Sequence, residues 1–215
     1  MTAAKLVLEP VFEADLLPVS FGFRPRRSAH QACDAIRAEA NRGADWGLDA
    51  DVRDCFGSID HDALLGQVAR RVADRRMLKL LRCWLRVGVL EDGVTTETGS
   101  GTPQGSPISP LLANIALHVL DAEWTRGGRS LGVLIRYCDD FVILCRTRPQ
   151  AEQARRLVAE ILATLGLHLH PDKTRIVGLT KGRQGSTSSA STITRWRPGA
   201  GEGATTCNDG RPPAR

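Results

Sequence analysis

The chain has 215 residues, 42% of them hydrophobic, and is long enough to bury the core of one domain. Its formal net charge of +5 would favour a nucleic-acid partner, but residues 181–215 carry +4 of that charge, so charge alone identifies no partner. The six cysteines have no Cys-x-x-Cys spacing, which argues against a zinc site or a disulfide framework. No signal-type segment and no apolar run of about 18 residues occurs, so we expect a soluble cytoplasmic protein without a membrane span.

Capping residues and apolar periodicity predict five helices along the chain. The last of them carries a capping box, in which Thr147 and Gln150 satisfy each other's backbone N–H groups. A turn at 91–93 ends in Asp-Gly and predicts a hairpin of two short strands. The helices are predicted from Ser28 to about Arg42, from Asp60, from Asp74, from an N-cap at Ser109 through Trp124, and from Thr147 to a closing Gly166.

The segment 46–52 alternates apolar with small or acidic residues, the period-2 pattern of a half-buried β-strand. Asp49 and Asp51 are two residues apart in this pattern, so they share one face of the strand. The sequence therefore predicts a strand that presents carboxylates on its polar face.

A second acidic pair, Asp139 and Asp140, lies between two apolar runs and is predicted at the tip of a β-hairpin. One interpretation is a solvated turn, because aspartate is a favoured turn residue. The other is a metal site, because two like charges held close together either raise a pKa or attract a cation. A third carboxylate from the strand at 46–52 would complete an oxygen-ligand cluster suited to Mg²⁺. Two such ions would support nucleotidyl transfer.

Five sequence blocks, taken in order, resemble reverse transcriptases, and the first of them narrows the resemblance to group II intron-encoded reverse transcriptase/maturases. The first block is similar to a fingers segment, and the other four are similar to successive palm motifs. The blocks are Phe21-Gly-Phe-Arg-Pro-Arg-Arg-Ser-Ala-His30, Asp51-Val-Arg-Asp-Cys-Phe56, Gly101-Thr-Pro-Gln-Gly-Ser-Pro-Ile-Ser-Pro110 with the four residues that follow, Tyr137-Cys-Asp-Asp140, and Leu167 to Val177.

The resemblance implies that Asp51, Asp139 and Asp140 are the catalytic residues and ligate two Mg²⁺ ions, with Mn²⁺ as a possible substitute. It selects Asp51 rather than Asp49, because an aromatic residue follows Asp51 at the spacing of the family motif. We therefore expect the carboxyl groups of Asp51 and Asp139 to lie within about 6 Å of each other, with Asp49 more remote.

The resemblance also implies four substrate-binding residues. Phe56 would act as a steric gate against a ribose 2′-hydroxyl, and Gln104 would face the incoming nucleotide. Lys173 falls where a lysine is proposed to protonate the pyrophosphate, and Arg24 falls where a fingers arginine approaches template or nucleotide.

The chain departs from the family pattern in the palm. Cys138 stands where alanine is commonest, which substitutes one small residue for another. Asp54 and Gly57 stand where many members have glycine and aspartate respectively, so that a carboxylate has moved to three residues after Asp51. We interpret this change as variation within a subfamily.

The resulting fold prediction is α+β: a right-hand polymerase palm with partial fingers, in which a small antiparallel sheet packs on helices. Residues 1–45 are assigned to the partial fingers, residues 46–180 to the palm, and residues 181–215 to a disordered tail rich in Gly, Ser, Thr and Arg. If the serines of 185–193 use TCN codons, the codons of the shifted reading frame permit a Phe-Leu-Gly-Phe-type segment of the family. We therefore interpret the tail as a frameshift product.

Two functional hypotheses follow. The first is a fragment of a group II intron RNA-directed DNA polymerase, whose partners are an RNA template, a DNA primer, dNTPs and group II intron RNA. The second is a catalytically inactive remnant that at most binds intron RNA, because the thumb and the basic upstream fingers residues are expected but not found. A retron or diversity-generating enzyme is disfavoured by the segment that begins at Phe21.

Overall fold

The computed structural model of the chain describes residues 1–86, 99–103 and 105–179, and also places two short strands between residues 90 and 95. The predicted tail at 181–215, its proposed frameshift and the turn at 92–93 lie outside the described residues. The elements are α1 (Thr2–Glu13), α2 (Ala29–Asn41), β1 (Trp46–Asp51), α3 (Cys55–Ser58), α4 (His61–Ala69), α5 (Arg75–Arg86), β2 (Leu90–Glu91), β3 (Val94–Thr95), α6 (Ser109–Glu123), β4 (Val133–Tyr137), β5 (Asp140–Cys145), α7 (Arg148–Ala163) and β6 (Arg175–Gly178).

The centre of the molecule is a four-stranded antiparallel sheet with strand order β4-β5-β1-β6. β4 and β5 form the predicted hairpin, and β1 pairs with β5 so that Trp46 lies opposite Cys145 and Asp51 opposite Asp140. β2 and β3 pair separately, as the Asp-Gly turn predicted. The α+β prediction with a small antiparallel sheet is confirmed.

Helices cover both faces of this sheet. Leu48, Ala50 and Phe141 pack with α6 and α7 in the larger core, and the opposite face packs against α2. The prediction of a half-buried β1 was therefore wrong: Asp49 is 2% exposed and Asp51 is 4% exposed. The alternating pattern identified two faces correctly, but it carries no information about which distant segments bury the polar one, and here Lys173 and Arg175 lie against its two acids.

The predicted helix starts agree with the structure in four cases out of five, and in each of the four a side chain caps the first turn. Two of these caps are complete capping boxes. The cap contacts are Ser28 with Gln31, Asp60 with the Ala63 N–H, Asp74 with the Arg76 N–H, and Thr147 with Gln150.

The predicted N-cap of α6 was wrong by one residue. Ile108 precedes the helix, while Ser109 is its first residue and donates its hydroxyl to the Pro103 carbonyl at 2.8 Å. The helix ends at Glu123, where a π-helical turn continues the chain through residues 124–128. Local sequence favours serine as a cap, but here a contact six residues away takes its hydroxyl.

Helix α1 was not predicted, since it has no side-chain N-cap and contains Pro10. It buries Leu8 and Phe12 in the larger core and packs against α6. Tertiary burial therefore stabilises a helix that lacks the usual signals at its ends. None of the described helices is long and apolar enough to cross a membrane.

The capping box of α7 gives a direct test of the helix assignment. Replacing Thr147 by Ala removes the acceptor for the Gln150 N–H and should lower the free energy of unfolding by about 1 kcal/mol. Thr147→Ser keeps the hydroxyl and should stay within about 0.5 kcal/mol of the wild type. Urea denaturation of the three chains makes the comparison, and equal losses in both variants would contradict a capping role.

Candidate active site

Three acidic residues converge at one end of the sheet. Asp51 is the last residue of β1, Asp140 is the first residue of β5 and its register partner, and Asp139 lies in the turn between β4 and β5. The Asp139 carbonyl accepts a hydrogen bond from the Val52 N–H at 3.4 Å, which ties the turn to the end of β1. Asp49 lies two residues before Asp51 in β1, opposite Val142 and further from the acidic turn.

The surroundings of Asp139 favour the neutral form of its carboxyl group. Burial is the main cause that raises the pKa of the Asp139 carboxyl above its usual 3.8, and the negative charge of Asp51 raises it further. The Asp139 backbone N–H, Lys173 and Arg136 act in the opposite direction without cancelling the rise. A cation placed among these carboxylates would therefore stabilise their charged form.

Lys173 is a cation already present at this site. Its Nζ lies 2.5 Å from Oδ2 of Asp51; the Lys173 side chain is 45% exposed and that of Asp51 is 5% exposed. The lysine is held there because residues 168–170 run beside the end of β1: the Asp51 carbonyl accepts the His170 N–H at 2.8 Å, and Leu169 bridges Val52. The structure thus brings the predicted Lys173 to the first of the predicted metal ligands.

The carboxylates fit a divalent cation in the chemistry of their donors. Oxygen ligands are those that Mg²⁺ prefers, and the raised pKa of Asp139 is the mark of a site that a cation would stabilise. In the described part of the chain, no group of three or more His, Cys, Asp or Glu side chains forms a ready-made ligand set. One carboxylate oxygen of Asp51 accepts a hydrogen bond from the Lys173 ammonium group.

Phe56 lies on α3 and makes a T-shaped contact with Phe23, with ring centroids 6.4 Å apart. Phe23 has a positive φ of 55°, a backbone conformation that is uncommon for a residue with a side chain. The structure also explains why aspartate at position 54 occurs together with glycine at position 57. A Cβ at Gly57 would lie 2.3 Å from an Asp54 carboxylate oxygen. The moved carboxylate occupies the space that the glycine leaves.

Arg24 does not reach the carboxylates. Its guanidinium donates to the Glu13 carboxylate and to the carbonyls of Leu16, Leu17 and Ser20, at 2.6–3.1 Å. These contacts make Arg24 a brace between α1 and the segment that follows it, and its approach to template or nucleotide stays a prediction. Gln104 lies outside the described residues.

Arg136 is the residue that sequence analysis missed. It lies on β4 with none of its side chain exposed, and its Nε and Nη2 donate to the two carboxylate oxygens of Asp121 at 2.8 and 2.6 Å. A signal was available, because an arginine inside an apolar strand requires a buried acid. The sequence did not show that this acid would be Asp121 of α6.

The raised pKa of Asp139 predicts a pH-dependent stability. Because the folded chain binds this proton more tightly than the unfolded chain, the corresponding stability is present at acidic pH and lost as pH rises through the raised pKa. Asp139→Asn should therefore be more stable than the wild type at about pH 7 without divalent ions, and the difference should vanish near pH 3.

Thermal unfolding from about pH 3 to pH 7 measures this difference. Asp34→Asn is the matched control, since Asp34 is an exposed acid on α2 and should show no comparable pH-dependent gain. A difference between Asp139→Asn and the wild type that is constant with pH would contradict the electrostatic explanation.

Comparisons with known proteins identify the family. Residues 2–194 match the family model described as reverse transcriptase (RNA-dependent DNA polymerase). The group II intron-encoded protein LtrA of Lactococcus lactis subsp. cremoris is 44% identical over 119 residues, which are 55% of this chain and 20% of LtrA. Protein YkfC of Escherichia coli (strain K12) is 31% identical over 217 residues, covering 84% of this chain and 57% of YkfC.

Solved structures show the same fold. Apo telomerase from Candida Tropicalis aligns with a TM-score of 0.66 at 12% identity, over 84% of this chain and 37% of that one. This chain spans a fifth of LtrA and somewhat over half of YkfC. The carboxylate-bearing hairpin, the antiparallel sheet on helices and these matches agree: the chain belongs to the reverse transcriptase family, the RNA-directed DNA polymerases, and has their palm and fingers fold.

Proposed function

We propose that this chain forms the palm and part of the fingers of a group II intron-type reverse transcriptase, which copies RNA into DNA by two-metal-ion nucleotidyl transfer. The observation that carries the proposal is the convergence of Asp51, Asp139 and Asp140 at one end of the sheet beside Lys173. The similarity to LtrA, and to nuclear intron maturase 1 of Arabidopsis thaliana at 33% identity over 81 residues, supports the intron type.

In this proposal the three aspartates are the catalytic carboxylates and hold two Mg²⁺ ions, or Mn²⁺ in their place. When bound, such ions activate the primer hydroxyl and stabilise the departing pyrophosphate. Lys173 can supply a proton to that leaving group, because its ammonium group lies at the site and its side chain is half exposed. A hydrogen bond from Lys173 Nζ to Asp51 Oδ2 holds this ammonium group in position.

The substrates of the proposal are an RNA template, a DNA primer and dNTPs, with group II intron RNA as a further partner. Phe56 would meet the sugar of the incoming nucleotide, and Phe23 would keep its ring in place through their edge-to-face contact. Gln104 remains proposed to face the same nucleotide.

Primer extension tests this function. The chain is incubated with a DNA primer annealed to an RNA template, dNTPs and Mg²⁺, and we expect extension that falls by more than about 100-fold in Asp139→Asn and in Asp51→Asn. Asp49→Asn is the matched control, because Asp49 lies on the same face of β1 and is equally buried, yet lies further from the turn.

Two outcomes would contradict the proposal. If Asp139→Asn extends the primer as fast as the wild type, the carboxylates are not required for the reaction. RNA binding by a folded wild-type chain with no extension at all would favour the inactive-remnant hypothesis.

Helix α5 supplies the surface best suited to the phosphate backbone of RNA. It contains no acidic residue, while Leu81 and Leu85 are buried, so the basic residues face solvent. An ion pair between Arg82 and Asp62 at 3.1 Å neutralises one of them, at an exposed position where such pairs are weak. The basic residues of this face are Arg75, Arg76, Lys79, Arg82 and Arg86.

Changing Arg75, Arg76 and Lys79 together to Gln should weaken RNA binding for every sequence tested. Each lost phosphate contact should reduce the slope of log K against log salt by about 0.7–0.9. Fluorescence anisotropy with a labelled RNA over a KCl series measures both effects. Arg155→Gln with Arg156→Gln is the control, since these exposed arginines share α7 with acidic residues. Equal slopes in the triple variant and the wild type would contradict a phosphate contact at α5.

A further inference from the structure

A buried hydrogen-bond network joins the catalytic turn to the body of the palm. Arg136 uses two donors for Asp121, and its third nitrogen, Nη1, donates to the Asn114 side-chain oxygen at 3.0 Å and to the Cys138 carbonyl at 2.8 Å. Cys138 is the residue immediately before Asp139. We call the three side chains of Arg136, Asp121 and Asn114 the hairpin clamp.

The clamp holds the turn in a conformation that local sequence does not favour. Cys138 has a φ of 59°, in the left-handed region that residues with a Cβ seldom adopt. A strained residue of this kind persists when surrounding contacts determine its conformation, and the hydrogen bond from Arg136 to its carbonyl is such a contact. The direction of the following residue, Asp139, depends on the same carbonyl.

Two residues of the clamp, Arg136 and Asn114, also form hydrogen bonds with the fingers segment. The Arg136 backbone N–H donates to the Val19 carbonyl at 2.8 Å, and its carbonyl accepts from the Phe21 N–H at 2.9 Å. Asn114 Nδ2 donates to the Gly22 carbonyl at 2.9 Å. A Cβ on Gly22 would lie 2.3 Å from the backbone nitrogen of Cys138, so this segment lies directly against the catalytic turn.

We infer that Arg136 is a positioning residue, which fixes the turn that carries Asp139 and couples its position to the fingers segment at 19–22. Arginine is required because one planar group must serve the carboxylate, the amide and the carbonyl at the same time. A lysine at this position would retain the charge and lose this geometry. The inference rests on the proposed function, since the position of the turn affects activity only if Asp139 acts there.

Hydrogen exchange of three variants tests the inference without requiring activity. Arg136→Lys should raise exchange at the turn residues 138–140 and at Phe21 by at least about tenfold, while the amides of β1 and α7 keep their protection. Asn114→Leu removes both the oxygen that accepts from Arg136 Nη1 and the nitrogen that donates to the Gly22 carbonyl, so it should raise exchange at the turn and at residues 21–23 together, and an unchanged turn would overturn the inference. This second variant decides the matter if Arg136→Lys does not fold.

Val68→Ala is the stability-matched control, because Val68 is fully buried in α4 and away from the hairpin. This variant should raise hydrogen exchange across the larger core, with no larger effect at the turn residues 138–140 than elsewhere. Exchange in Arg136→Lys that is unchanged at the turn, or raised uniformly as in Val68→Ala, would overturn the inference.

Metal binding supplies the readout that a purely structural role would not change. In folded Arg136→Lys, Mn²⁺ affinity measured by electron paramagnetic resonance should fall by roughly 10–100-fold, while Val68→Ala keeps the wild-type affinity. Equal affinities in Arg136→Lys and the wild type would overturn the positioning role. Failure of the wild type to bind Mn²⁺ would count against the proposed function, and exchange at the turn would then decide the inference by itself.

Discussion

The ion pair between Arg136 and Asp121 is the interaction on which the arrangement of the palm depends. Burial alone would lower the pKa of the Arg136 guanidinium, but the charge of Asp121 and its hydrogen bonds raise the pKa instead, so the guanidinium stays protonated in the interior. Removing one partner of a buried pair leaves an uncompensated charge and costs about 3–5 kcal/mol. This cost fixes α6 relative to β4, and the hairpin that carries the acidic turn is fixed with them.

The same rule of pairing explains why β6 lies beside β1. Two buried acids face the same side of β1, and each has a cation from the segment that forms or precedes β6: Lys173 for Asp51 at 2.5 Å, and Arg175 for Asp49 at 3.7 Å. The antiparallel register places Asp49 opposite Arg175, so the charges are matched by strand pairing. Both basic side chains are about half exposed, so they remain partly hydrated while the acids are buried.

Sequence reasoning succeeded where the cause of structure is local. The side chains of Ser28, Asp60 and Thr147 cap helices because their partners lie within three residues, and the turn at Asp139 followed from a break between two apolar runs. It failed where the cause is distant: the burial of Asp49 and Asp51 beside Arg175 and Lys173, and the burial of Arg136, depend on segments far apart in the chain. The three proposed catalytic residues were thus predicted from pattern and resemblance, but the residue that supports the turn of Asp139 was not.

The segment that begins at Phe21 illustrates why a matched motif does not assign roles to its residues. Phe21 packs in the smaller core, on the side of the sheet that α2 covers. Gly22 permits the backbone to approach the acidic turn, and Arg24 binds Glu13 at the end of α1. Among the described residues, Phe23 contacts a residue proposed to meet the nucleotide, through its ring contact with Phe56. Since a side chain at Gly22 would collide with backbone atoms, which cannot rotate away, the glycine is a requirement of packing. The motif therefore points to the candidate active site mainly because the scaffold around the acidic turn requires these residue types.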